Sequence, residues 1–239
     1  IALKLTQMTE INSKFKVTEY ANTLENGIVL TDEQLSCVKG VLDSQVSIIT
    51  GGPGTGKTTI VKAIIKTLES FDAKVVLCAP TGRAAKRLSE TSGIDAKTIH
   101  RLLEIKHIDD DDRNALVEID VTPIEADVVI VDEVSMLDII LMSNLLKAVS
   151  LTTTLILVGD VDQLPSVGPG NVLKDLIESR KINTFALTKI FRQAGESMIV
   201  VNAHSINSGE LPVFNKENTD SFLVNARNSD EIIKKVINE

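Results

Sequence analysis

Eight consecutive residues, Gly51-Gly52-Pro53-Gly54-Thr55-Gly56-Lys57-Thr58, fit the pattern G-x-x-x-x-G-K-[ST] at every position. Residue types in this order suit one task. The glycines let several backbone amides turn inward around an anion, and the positive end of a following helix adds to the attraction. Lys57 would reach the β- and γ-phosphates of a nucleotide, and the Thr58 hydroxyl would ligate Mg2+. The plain alternative is a glycine-rich turn with an incidental lysine. The setting argues against it: the apolar run Val46–Thr50 leads into the loop, and helical spacing begins near Lys57.

A second group of residues has matching chemistry. Asp127-Val128-Val129-Ile130-Val131-Asp132-Glu133 is an apolar run that ends in two carboxylates. Asp132 would hold Mg2+ directly or through water, and Glu133 would polarise an attacking water as general base. Alone, two acids could simply open a helix; beside a phosphate loop they gain weight. Three further residues are less specific. Gln163 follows the apolar run Thr154–Gly159, where it could sense a γ-phosphate or be an ordinary loop residue. Gln34 sits in Thr31-Asp32-Glu33-Gln34, a capping box in form, and could also read an adenine edge. Arg192 could neutralise γ-phosphate charge or be a surface arginine.

These residues need a scaffold that gathers them. Apolar runs without polar alternation recur at 46–50, 74–79, 127–132, 154–159 and 182–187, as strands covered on both faces require. Helical stretches lie between them at 57–69, 82–91, 136–149 and 171–179; in the first, Ile60, Ile64, Ile65 and Leu68 recur at helical spacing. The alternation predicts an α/β fold: a mostly parallel sheet with helices on both faces, three layers in all. Its ligand crevice lies at the carboxyl ends of the strands. Residues 1–30 carry no fingerprint and read as the tail of a preceding segment. Residues 31–205 form the main domain. Residues 206–239, broken by Asn207-Ser208-Gly209 and Pro212, read as an annex or the start of a further domain, with a short helix over 229–239. Asp109–Asp112 reads as a solvated loop.

Composition narrows the function classes. The 239 residues carry 25 Lys+Arg and 33 Asp+Glu, a net charge of −8, which argues against a polybasic nucleic-acid coat. No Trp and one Tyr argue against a grip on bases by aromatic stacking. Cys37 and Cys78, 41 positions apart, are expected as buried reduced thiols, and His100, His107 and His204 lack metal-ligand spacing. No apolar run reaches the ~18 residues of a membrane span, and no signal peptide is visible. No membrane contact and a cytoplasmic location are therefore expected. The first residue is Ile1, so a piece of a longer protein is expected.

Seven segments together resemble the first motor domain of superfamily 1 helicases of the RecD/TraA group: LTDEQ (30–34), IITGGPGTGKTT (48–59), VVLCAPTGRAAKRLSE (75–90), KTIHRLL (97–103), VVIVDEVSMLD (128–138), LILVGDVDQLPSVGPGNVL (155–173) and LTKIFRQ (187–193). The resemblance implies a P-loop NTPase domain of RecA-like fold. It implies ATP held by Gly52, Pro53, Gly54, Thr55, Gly56, Lys57, Thr58 and Thr59 with Gln34 at the adenine, and Mg2+ at Thr58 and Asp132. Lys57, Glu133, Gln163 and Arg192 would be the catalytic set. Thr81, Arg83, Thr98 and His100 would line a single-stranded DNA path, with Lys86 and Arg87 undecided. Leu-Pro-Ser-Val after Gln163 resembles the branch that moves 5′→3′ and holds the strand by its backbone. The group includes the exodeoxyribonuclease V alpha subunit, which implies RecBC-like partner subunits and DNA repair or recombination. Nothing after Ile206 resembles the family's second motor domain, so little or no unwinding by these residues alone is expected. Another P-loop ATPase or kinase, or a DNA-binding or subunit-interaction module with a vestigial ATP site, stays open.

Overall fold

The structure, a computed structural model, describes residues 1–24, 27–105, 121–191, 197–214 and 220–238. Arg192, His107 and the aspartate run 109–112 lie outside the described residues. The chain divides into two compact units, Ile1–Lys189 and Ile190–Glu239.

The first unit is a parallel six-stranded sheet. Its strands are β1 (Val46–Gly51), β2 (Val75–Ala79), β3 (Ala96–Thr98), β4 (Val128–Val131), β5 (Thr154–Gly159) and β6 (Asn183–Leu187), in the order β3-β2-β4-β5-β1-β6. Every pairing is parallel. All four residues of β4 and all six of β5 are buried, as a central strand covered on both faces must be.

Side-chain alternation divides the strands between two cores. Val46, Ile48, Val129, Val131, Leu155 and Leu157 point into one. Helices α1 (Ala2–Thr9), α5 (Ile99–Leu102), α6 (Ile139–Ala148) and α7 (Val172–Ser179) contribute to it. Ile49, Val128, Ile130, Ile156 and Val158 point into the other, with α2 (Asp32–Leu42), α3 (Lys57–Glu69) and α4 (Gly82–Ser92). The result is the three-layer α/β arrangement the run pattern predicts.

Differences from the sequence reading have local causes. The helix expected over 136–149 starts at Ile139. A 3-10 turn spans Val134–Met136, and Asp138 then caps α6, its Oδ1 accepting from the Leu141 N–H at 2.7 Å. Leu137 between them is extended, which separates turn from helix. Strand β3 is three residues long, too short to show a periodicity. Helix α1 lies in the stretch without a fingerprint, yet Leu5 and Met8 are buried in the first core. Cys37 and Cys78 are free and buried, and burial pushes each thiol up to about 12. Among the described residues no helix is long and apolar enough to cross a membrane.

The second unit holds α8 (Met198–Asn207) and α9 (Ser229–Asn238). Ser197 caps α8 and donates to Asp220 Oδ2 at 2.6 Å. Buried Asn202 ties the unit together: Nδ2 donates to Val213 O at 2.8 Å and Ser221 Oγ at 3.0 Å, and Oδ1 accepts from the Val213 N–H at 2.8 Å.

Candidate active site

Sheet order brings the chemistry together. Strand β5 lies between β4 and β1, with Thr50 opposite Gly159 and Val131 opposite Leu157. The phosphate loop, Asp132-Glu133 and Asp160 therefore leave three adjacent strands at the same edge. Distant segments meet there because each ends a strand of one sheet.

The loop is built for close approach. Gly56 has φ +87°, a conformation that side chains resist, and it precedes the first residue of α3. No side chain caps that helix start, so its N–H groups remain for an anion. Gly51 meets its neighbours without room for a Cβ, which would lie 2.8 Å from the Leu187 carbonyl oxygen. The buried Thr55 hydroxyl donates to the Gly52 carbonyl at 2.8 Å and braces the loop. Pro53 and Gly54 are exposed at its tip, while Gly52, Thr58 and Thr59 are half-buried.

Lys57 Nζ donates to the carbonyls of Gly51 and Gly52, the latter at 3.1 Å. Burial lowers its pKa, and the charges of Asp160, then Glu133, then Asp132 act in the opposite direction. Asp132 is half-buried, and its Oδ1 accepts from the Glu133 N–H at 2.9 Å. Burial holds the Asp132 carboxyl above its ordinary value. Burial, then the Asp132 charge, does the same for Glu133, with Lys57 and Arg87 opposing. Glu133 also has φ +54°, the left-handed region, at the sharp exit from β4.

A hard divalent cation fits this donor set. Asp132 and the Thr58 hydroxyl offer oxygen donors, and a cation between them would offset the burial that raises the carboxyl pKa values. Among the described residues no three His, Cys, Asp or Glu side chains form a metal site by themselves. Nucleotide oxygens and water would complete the shell, the usual habit of Mg2+.

The remaining expected residues fall in two places. Gln34 is 2% exposed, and its Oε1 accepts from the Thr31 N–H at 3.1 Å while Thr31 Oγ1 accepts from the Gln34 N–H at 3.3 Å. The capping box is real, and it leaves the amide NH2 as the end able to meet a ligand. Thr81, just past β2, and Thr98, the last residue of the neighbouring β3, cap α4 and α5, accepting from Ala84 and Arg101 N–H groups at 3.2 Å each. Arg83 and His100 are exposed near those caps. Gln163 is exposed in the turn after β5.

Asp160 is the residue the sequence reading missed. It is 2% exposed and heads the charges acting on Lys57. Its sequence, an acid directly after a fully apolar strand as at Asp132, marks a strand end, but only sheet order places that end beside the phosphate loop.

The chain matches the model of a family described as an AAA domain over residues 29–227. It is 42% identical over 192 residues to the ATP-dependent RecD2 DNA helicase of Deinococcus radiodurans, covering 77% of this chain and 25% of that protein. It is 36% identical over 202 residues to the RecBCD enzyme subunit RecD of Mycolicibacterium smegmatis, covering 75% and 36%. Among solved structures, the Pif1 helicase from Candida albicans superposes with a TM-score of 0.54 at 25% identity, over 77% of this chain and 45% of that one. The chain spans only a quarter to a little over a third of the length of these two curated relatives. The matched span takes in the phosphate loop, Asp132, Glu133 and Asp160 alike, and on that match the chain belongs to the AAA-domain family.

Proposed function

We propose that residues 31–205 are the nucleotide-binding motor domain of an ATP-dependent 5′→3′ DNA helicase of RecD type. One observation carries the reading: Lys57, Asp132, Glu133 and Asp160 gather at the ends of three adjacent strands, around a glycine loop with an uncapped helix behind it. The names of the curated relatives supply the DNA and the helicase activity in this reading. Residues 206–239 would lead into a second lobe that closes the cleft.

ATP would lie with its phosphates along Gly52–Thr59 and its adenine towards Gln34. Mg2+, held by Thr58 and Asp132, would supply neutralisation of the phosphate oxygens. Lys57 would leave the Gly51 and Gly52 carbonyls for the phosphates it is built to meet. Glu133 would take a proton from water attacking the γ-phosphorus, as the bond from that phosphorus to the bridging oxygen breaks. Its raised pKa suits it to that exchange. Single-stranded DNA would run past Thr81, Arg83, Thr98 and His100, held mainly by its backbone. RecBC-like subunits are the partners this reading allows, and DNA repair or recombination the setting.

The test is titration calorimetry of Mg2+-ATP into this chain and into Lys57→Ala, with and without a single-stranded oligonucleotide. The expected result is binding that the substitution removes and that DNA shifts. Equal binding to both proteins would refute the site.

A further inference from the structure

One side chain shapes the turn that carries Gln163. Asp160 Oδ1 accepts from the Asp162 N–H at 3.1 Å, and Oδ2 accepts from Gln163 Nε2 at 3.3 Å. The Asp160 carbonyl accepts from the Gln163 N–H at 3.2 Å. A fourth bond ties the turn to the strand that enters the phosphate loop, from the Val161 N–H to Thr50 Oγ1 at 3.4 Å.

An ionised carboxylate only accepts hydrogen bonds. The group of Gln163 that faces Asp160 is therefore its NH2, on chemical grounds that do not depend on telling nitrogen from oxygen by shape. The amide oxygen is left as the outward end, and an oxygen accepts where an NH2 would donate. Asp160 is itself fixed, since it is buried and the Asp162 N–H occupies its other oxygen.

We propose that Asp160 is a positioning residue that sets which end of the Gln163 amide faces the cleft, holding the NH2 group and presenting the oxygen to the attacking water. Glu133 takes one hydrogen of that water, and Gln163 accepts a hydrogen bond from the other. This rests on the nucleotide-hydrolysing reading of the site. It gives the exposed glutamine a definite direction, which a surface amide otherwise lacks.

The test is DNA-stimulated ATP hydrolysis by the full-length protein that carries these residues. Asp160→Asn lets residue 160 donate as well as accept, so the glutamine is free to turn over. The expected loss in kcat is about tenfold, with KM for ATP held within about twofold. Gln163→Glu sets acid against acid, with a similar loss. The reciprocal pair Asp160→Asn with Gln163→Glu restores an NH2-to-oxygen bond with the roles exchanged and again leaves an oxygen facing outward. It is expected to run at least about fivefold faster than Gln163→Glu alone. A pair no faster than Gln163→Glu alone overturns the proposal. Should Asp160→Asn prove unstable, alone or in the pair, Gln163→Ala decides instead: it is expected to lose about tenfold in kcat, and native turnover in Gln163→Ala overturns the proposal. Hydrolysis that survives Lys57→Ala would instead refute the reading of the site, and this inference would fall with it.

Discussion

In the first unit Val128–Val131 are all 0% exposed, whereas in the second Ile232, Ile233, Val236 and Ile237 are 52%, 56%, 73% and 75% exposed. The residue types are the same. The strand lies in a sheet covered on both faces, so its neighbours remove it from water whichever way a side chain points. The helix has an apolar stripe that nothing within its own unit of described residues covers. Burial is thus a property of layers. Where layers are complete, a short loop can be held tightly enough to direct a lysine and three carboxylates.

The comparison can be broken most sharply at Glu133. With Glu133 as the proposed base, Glu133→Gln should lower turnover by about a hundredfold or more while leaving nucleotide binding in place, because only the proton transfer would be lost. In the native protein the acidic limb of kcat/KM, which reports the free enzyme, should lie above 4.5, the ordinary value for glutamate, because burial and then Asp132 raise its pKa. Activity falls as pH drops through that raised value. An acidic limb at or below 4.5 would remove Glu133 as the base.

Packing gives the next largest contrast. Ile130→Ala should cost about 3 kcal/mol by denaturant unfolding, since it empties a fully covered position. Ile233→Ala, on the exposed stripe, should stay within about 0.5 kcal/mol. Equal costs at the two positions would mean that the helix stripe is covered after all. The capping box comes third: Thr31→Ala should cost about 1 kcal/mol, read as a lower unfolding midpoint.

The smallest effect is at Asp127. It joins Lys14 to the sheet through a partly exposed ion pair and accepts from the Lys74 N–H at 2.8 Å. The Lys14 hydrogen bond, then the Lys74 N–H, hold its carboxyl below the ordinary 3.8. Its contribution, about 0.5 kcal/mol after solvent screening, is present above 3.8 and disappears as pH falls through the lowered value. Stability of Asp127→Asn should therefore converge with that of the native protein in acid. A gap that persists there would place the effect in packing.

How much of this was legible in the sequence differs by region. The phosphate loop, Asp132-Glu133 and the five long strands are local signals: residue type, spacing and an apolar run within ten residues. The alternation of runs was enough for the three-layer α/β fold. Three things were not legible. The three-residue β3 has no periodicity to find. Asp138 as a cap looks in sequence like one more polar residue within a helix. Asp160 became visible as part of the site only when sheet order set β5 beside β1, because strand order is a long-range fact that no window of sequence contains.

Glu133 sits at φ +54°, where glycine or asparagine would rest with less strain. It also carries a charge that burial and Asp132 both oppose. The residue the backbone prefers at this position is thus not the one the proposed hydrolysis would require. A library of variants selected for heat resistance alone should drift away from glutamate here. Its best-folded members would be expected among the inert ones, so thermal stability is a poor guide to which relatives of this chain still work.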